Sequence, residues 1–446
     1  MNKPLTLGSL FDGSGGFPLA GLLAGIVPVW SSEIEPFPIR VTEKRLPQVQ
    51  HFGNISGLHG AKLPPVDIIT FGSPCQDMSI AGKRTGLSGS RSSLFHEAIR
   101  IIREMRCASN GKYPRYIVWE NVPGAFSSNG GEDFRCVLEA ICSVKDSSIS
   151  IPRPAGKWTK AGEILAESYS LAWRVLDAQY WGVPQRRKRI FLVADFDGAS
   201  AGKILFESEG LSGYSAESLR AWQRAAGSAA DSFGTAGLCL CDQGGERIDI
   251  LKERAATLRA EAHHPPCVLE NHPADSRLQI SENGKVQTLT SRCGTGGGNV
   301  PLLMDTPKTL KIRCGKAGGG KGSLIQENKS ATLLARDHKD PSIVSSGYAV
   351  RRLTPQECAR LQGFPDQWCS DLASENPTEE EIDRWAAIFE EYRKAVKPES
   401  RPKSRKTVQK WLQDPYRDAA EYRLWGNGIC LNVAVFVLAG IVWADL

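Results

Sequence analysis

The chain has 446 residues, 41% of them hydrophobic and 23% charged, with 55 basic against 49 acidic side chains and a formal net charge of +6. Domains average about 150 residues, so two or more are expected, each able to bury its own core. These figures exclude a disordered chain, a collagen-like repeat and a small disulfide scaffold, while the modest positive balance permits a polyanionic partner without demanding one.

Strand and helix patterns alternate along the first part of the chain. Leu5–Phe11 reads as an apolar strand that runs into a glycine-rich turn, and Leu19–Ala24 has helical character. Val29–Glu33 is a second strand, Val66–Gly72 a third, and Leu94–Met105 an amphipathic helix. Tyr116–Asn121 and Arg189–Ala194 complete the series. Short apolar strands alternating with helices imply an α/β fold with a doubly wound, mostly parallel sheet. Ligands of such sheets bind beyond the carboxyl ends of the strands. The chemically distinctive residues all fall there.

From Asp197 the helical periodicity fades, and glycine, threonine and short β-like runs take over. Thr288–Gly298 and Thr309–Gly320 look like copies that share an Arg-Cys-Gly core, and Ala256–Pro265 and Ala331–Pro341 form a looser pair. Each reads as strand, turn, strand, which predicts a smaller β-rich domain of repeated hairpins. Helical character returns at Thr354–Leu361, and Pro377–Glu381 opens another helix with acids in its first turn. The basic stretch Lys394–Lys410 fits a solvated linker or helix face better than a phosphate contact. The longest apolar run, Ile429–Trp443, is broken by Asn432 and reads as a buried helix rather than a membrane anchor. Met1–Pro4 lacks the pattern of a secretory leader, and twelve cysteines without the spacing of a disulfide framework fit a reducing compartment. A soluble cytoplasmic protein is expected.

Four segments carry chemistry. After the first strand, Phe11-Asp12-Gly13-Ser14-Gly15-Gly16 brings backbone N–H groups close to a ligand, although the spacing is not that of a dinucleotide loop. Glu33 closes the second strand, where nucleoside-binding sheets place an acid against ribose hydroxyls. Gly72-Ser73-Pro74-Cys75-Gln76 follows the third strand and aims a thiol into the cleft, as a nucleophile requires. Any single cysteine is more often a small buried hydrophobe, but its place at a strand end argues otherwise. Glu120 ends the fourth strand, positioned to face Cys75 and donate a proton to a bound base. In Gln185-Arg186-Arg187-Lys188-Arg189, alternation puts Gln185, Arg187 and Arg189 on one face, suited to an anion or a carbonyl group.

With these elements in this order, the sequence resembles the DNA (cytosine-5)-methyltransferase family. Phe11–Gly16 is similar to its S-adenosylmethionine loop, Ser73-Pro74-Cys75-Gln76 to its nucleophile segment, Glu120-Asn121-Val122 to its Glu-Asn-Val segment, and Gln185-x-Arg187-x-Arg189 to its Gln-x-Arg-x-Arg strand. Ser90–Phe95 resembles the opening of the helix after the mobile catalytic loop, Arg352–Pro365 the late organising helix, and Gly426-Asn427-Gly428 the turn before the last helix.

The resemblance implies a Rossmann-like methyltransferase domain at 1–196 and 418–446, and a target-recognition domain at 197–417. The latter takes in the organising helix 351–365 and a helical, basic insert 370–417. It implies methyl transfer from S-adenosylmethionine, with S-adenosylhomocysteine as product, to C5 of a cytosine flipped out of double-stranded DNA. Cys75 would attack C6, Glu120 would bond N3, and Arg187 and Arg189 would hold O2. Phe11, Asp12, Gly13, Gly15, Gly16, Glu33, Ile34, Asn54, Ile55, Pro74, Leu94 and Asn427 would line the cofactor site. Asn54 stands where the family commonly has aspartate, and its amide oxygen can accept the same bond; Gly428 replaces the usual serine and removes one hydroxyl. Lys83, Arg84 and Arg91 suit phosphate contacts, and Arg292 and Arg313, with Lys316 and Lys321, could reach the major groove. A monomer acting on DNA is implied, with room for a cognate restriction endonuclease at the same site. An RNA cytosine-5 methyltransferase and an inactive DNA-binding regulator are the alternatives. Cys239, Cys241, His263, His264 and Cys267 match no strong zinc spacing, so no metal is expected.

Overall fold

A computed structural model of the chain describes residues 3–73, 93–183, 185, 187–206 and 354–446, together with the backbone of six short strands between 238 and 345. Its first part is one eight-stranded sheet. In chain order the strands are β1 (Thr6–Leu10), β2 (Val27–Ser32), β3 (Gln50–His51), β4 (Ile68–Phe71), β5 (Tyr116–Asn121), β6 (Ala161–Leu165), β7 (Ser170–Asp177) and β8 (Lys188–Asp195). They lie in the order β3-β2-β1-β4-β5-β8-β7-β6. The first five in that order run parallel, while β8, β7 and β6 pair antiparallel with their neighbours. The link from β7 to β8 is too short to hold a crossover helix, so those two strands must reverse direction.

Side-chain alternation explains why both faces of this sheet are covered. On β5, Tyr116 and Val118 enter one apolar layer and Ile117 and Trp119 the other; on β4, Ile68 and Ile69 separate in the same way. One layer is covered by α3 (Ser93–Ala108) and α4 (Glu132–Cys142). On α3, Phe95, Ala98, Ile99, Ile102 and Met105 are buried at helical spacing, while Arg100 faces out and pairs with Glu97 and Glu104. The opposite layer takes α1 (Gly16–Leu23), α2 (Pro36–Arg45), α5 (Ala201–Leu205) and the last helix.

Two antiparallel three-stranded sheets occupy the middle of the chain. One has the order β11-β10-β9, from β9 (Leu238–Asp242), β10 (Ile248–Lys252) and β11 (Gly284–Lys285). The other has the order β13-β12-β14, from β12 (Lys308–Lys311), β13 (Leu324–Glu327) and β14 (Ile343–Ser345).

Five helices follow: α6 (Pro355–Leu361), α7 (Glu379–Val396), α8 (Arg405–Gln413), α9 (Asp418–Asn427) and α10 (Leu431–Ala444). Thr354 opens α6 with a capping box, its hydroxyl accepting from Glu357 N–H while the Glu357 carboxylate accepts from Thr354 N–H. Helices α7 and α8 form a hairpin that packs Ile382, Trp385, Val408 and Leu412 against Ile39 of α2. Arg40 reinforces this contact with an ion pair to Glu381 at 3.0 Å. Helix α10 is apolar on all sides and buried against α1 and α5. Among the described residues no single helix is long and apolar enough to cross a membrane; α9 and α10 together would reach that length but are bent by 41°.

Candidate active site

The turn after β1 is held by acids and backbone. Phe11, Gly13 and Gly15 all have φ in the left-handed region, at 56°, 54° and 77°. This curls the chain so that Gly13 N–H donates to Glu33 Oε2 at 2.8 Å. The other carboxylate oxygen of Glu33 accepts from Ile34 N–H at 2.7 Å and Glu35 N–H at 2.8 Å. Asp12 donates its N–H to the Ser32 carbonyl and accepts from Ser9 Oγ at 2.7 Å, but its buried Oδ2 has no partner among the described residues. Neither acid makes an ion pair among the described residues. Burial therefore pushes Asp12 up to about 7, against the Ser9 bond and with help from the Glu33 charge. Burial also raises Glu33, outweighing the N–H groups that favour its ionised form.

Around this turn the other candidate cofactor residues are spread over several elements. Gly16 is pressed so closely on Ile429 that a β-carbon there would stand 2.7 Å from its Cγ1. Asn54 Oδ1 accepts from Ser56 N–H at 3.0 Å and caps a short turn that buries Ile55. Ile34 and Leu94 are half-buried, and Asn427 is exposed at the end of α9. Three further residues escape a sequence reading. Trp368 donates its indole N–H to the Ser14 carbonyl at 2.8 Å. Arg423 pairs with Glu35. Tyr392 on α7 is close enough to Glu33 for that charge, after burial, to raise its phenol. Trp368 stands three residues beyond the Arg352–Pro365 motif, which is the one local signal for it; Tyr392 carries none.

The second cluster lies at the ends of β4, β5 and β8. Gly72 and Ser73 lead from β4 towards Pro74 and Cys75. Asn121 Nδ2 donates to the Ser73 carbonyl at 3.1 Å, and Trp119 Nε1 to Ser73 Oγ at 3.4 Å. A β-carbon on Gly72 would sit 3.2 Å from Glu120 Oε2, so glycine lets this strand end lie against the carboxylate. Glu120 Oε1 pairs with Arg189 Nε at 3.0 Å, with both side chains 10% exposed. A guanidinium at that distance offsets the cost of burying the acid. Gln185, Arg187 and Arg189 are all buried while Lys188 between them is exposed. The two arginines nevertheless diverge: Arg189 meets Glu120, whereas Arg187 donates to the Gly428 carbonyl.

Cys75 and Pro74 lie outside the described residues, as do Lys83, Arg84, Arg91, Arg292, Arg313, Lys316 and Lys321. So do His263, His264, Cys267 and the side chains of Cys239 and Cys241. Among the described residues no group of three or more His, Cys, Asp or Glu side chains is arranged to hold a metal ion.

Comparison with known proteins bears on this arrangement. The C-5 cytosine-specific DNA methylase family matches residues 5–145 and 160–380. A DNA N-6-adenine-methyltransferase of Escherichia phage P1 is 30% identical over 407 residues, covering 82% of this chain and 53% of that protein. Type II methyltransferase M.NgoBV of Neisseria gonorrhoeae is 32% identical over 164 residues, or 37% of this chain and 33% of its own. The chain thus spans about half the length, or less, of these curated relatives. Among solved structures, the S. pombe Dnmt2 methyltransferase aligns with 98% of this chain and 97% of its own at a TM-score of 0.46 and 16% identity, which is too distant to carry an argument. The matched ranges take in the turn after β1, Glu33, Glu120 and Arg189. The chain belongs to the C-5 cytosine-specific DNA methylase family.

Proposed function

We propose that the protein transfers a methyl group from S-adenosylmethionine to C5 of a cytosine flipped out of double-stranded DNA. The observation that carries this reading is the Glu120–Arg189 pair at 3.0 Å, set beside the strand end that leads into Cys75. A carboxyl and a guanidinium side by side match N3 and O2 of a cytosine ring, which are neighbouring polar positions.

The cofactor fits the residues at the other cluster. Among the described residues, Asp12 Oδ2 is a buried acceptor with no partner, and Glu33 is a second acid with no cation paired to it. Such a pair suits a ligand with a positively charged end and ribose hydroxyls. Asp12, Gly13, Glu33 and Ile34 would hold it, and it would supply an electrophilic methyl carbon.

Cytosine C5 is a poor nucleophile. Bonding of the Cys75 thiolate to C6 makes C5 electron-rich, while Glu120 bonds N3 and favours protonation there and Arg189 bonds O2, so that charge does not accumulate on the ring. After C5 is alkylated, loss of its proton and breakage of the bond from Cys75 to C6 restore the aromatic ring and the free thiolate. Extruding the base costs about a few kcal/mol in lost stacking. We assign catalysis to 1–196 and 418–446, and DNA reading to the β-rich part of 197–417, with Lys83, Arg84 and Arg91 as phosphate contacts. The adenine N6 activity named for the phage P1 protein stays with that protein: the match leaves nearly half of it uncovered. A thiol nucleophile, moreover, serves addition to a pyrimidine ring, which an exocyclic amine does not need.

A duplex carrying 5-fluorocytosine tests the reading, because fluorine cannot leave C5 as a proton does. With S-adenosylmethionine present, the wild type should form an adduct that survives denaturation, and Cys75→Ser should form none. An undiminished adduct with Cys75→Ser would overturn it.

A further inference from the structure

Arg187, just before β8, and Arg189, within it, do different work. Arg187 is 2% exposed, and its backbone is tied to the end of β7: its N–H donates to Asp177 Oδ1 at 3.1 Å and its carbonyl accepts from Ala178 N–H at 2.9 Å. Its guanidinium donates to the carbonyl of Gly428, in the turn between α9 and α10. That turn is in turn packed on the loop after β1 at two points. A β-carbon on Gly428 would stand 3.1 Å from Ser14 Oγ, and one on Gly16 would stand 2.7 Å from Ile429 Cγ1. The same loop is gripped from α6's side by Trp368, through the Ser14 carbonyl.

We infer that Arg187 is a positioning residue for the cofactor loop, acting through the Gly428 carbonyl and the contacts of Gly428 with Ser14 and of Ile429 with Gly16. Arg189, two residues on, serves the base. One short segment therefore links the two clusters, and the shape of the cofactor loop depends on a cation that directly precedes the strand carrying Arg189. Ser14 also gains a part: a β-carbon at position 428 would be crowded by its hydroxyl at 3.1 Å as well as by the Leu424 carbonyl oxygen at 3.0 Å. The glycine there accommodates Ser14 rather than leaving a gap.

This inference rests on the proposed use of S-adenosylmethionine, and direct binding separates the two. Calorimetric titration of the purified chain with S-adenosylmethionine, without DNA, should give a measurable Kd for the wild type. No binding by the wild type would overturn the functional reading itself. Arg187→Lys, which keeps the charge but loses the planar fork, should weaken binding by about tenfold, since a charge-assisted bond is lost or bent. Arg189→Lys should leave that Kd within about twofold. In turnover assays Arg187→Lys should raise the cofactor KM more than it lowers kcat, and Arg189→Lys should do the reverse. Equal Kd values for the two variants would overturn the inference.

A second series does not touch either arginine. Gly428→Ala should weaken cofactor binding by crowding Ser14 and the Leu424 carbonyl, and adding Ser14→Ala, which relieves the first of these, should recover part of the loss. A double variant no better than Gly428→Ala would show that the contact between the turn and the loop does not transmit the effect, and the inference would fail.

Discussion

The two clusters at the strand ends handle buried acids in opposite ways. At β5 and β8, Glu120 has a guanidinium 3.0 Å away, and its charge is compensated inside the protein. At β1 and β2, Asp12 and Glu33 have, among the described residues, only hydroxyl and backbone N–H donors, and burial raises both. In the first, acid and cation are already paired before any ligand arrives. In the second, no cation pairs with the acids among the described residues. A neutral ring with polar edges suits the first, and a ligand that brings its own cation suits the second.

The contrast can be broken or sharpened by single substitutions. The largest effect is expected from Glu120→Gln, which keeps the shape but removes the charge opposite Arg189. Methyl transfer should slow by about a hundredfold or more, as loss of a positioned acid–base group does, while the cofactor Kd stays close to wild type. A parallel collapse of cofactor binding would show that the clusters are not separate. Glu33→Gln comes next. It puts an amide N–H where Gly13 N–H or Ile34 N–H now finds an acceptor, so cofactor affinity should drop by about tenfold, with turnover at saturating cofactor less affected. Calorimetry alongside saturation kinetics reads that split.

The smallest effect concerns pH. Asp12 holds its proton up to about 7 in the folded chain, against an ordinary value of 3.8. Between those values the native state binds more protons than the unfolded one, so stability is greatest at the acid end and declines as pH rises through the window. From pH 5 to pH 8 the decline attributable to Asp12 should be on the order of 1 kcal/mol. Asp12→Asn has no charge to bury and should flatten that part of the profile. Urea midpoints of the two proteins at both pH values would show it, and identical slopes would remove Asp12 as the titrating group.

Legibility followed sequence distance. Tyr116–Asn121 was readable to the residue because its apolar run is short, continuous and bounded. Strand β7 was missed: Ser170–Asp177 mixes tryptophan, arginine and serine, and its burial depends on β8 and α5 rather than on its own pattern. The same holds for the short edge strand β3, whose pairing is with β2 alone. The stretch Lys394–Lys410, read as linker or helix face, includes the end of α7 and the start of α8, a hairpin that α2 anchors through Ile39.

At the site, the identity of the acids and cations and their places at strand ends were set within a few residues of chain, by turn glycines, by alternation along a strand and by motif spacing. The alternation of Gln185, Arg187 and Arg189 is of this kind, because a strand's period of two is a local property. Which cation meets which acid was decided only by the tertiary structure. Arg189 reaches Glu120 across two paired strands, Arg187 turns to a carbonyl 241 residues away, and Trp368 grips Ser14 from 354 residues away. Such contacts arise from the packing of helices on a sheet, where small differences in side-chain direction select one partner among several, and no short stretch of sequence encodes that choice.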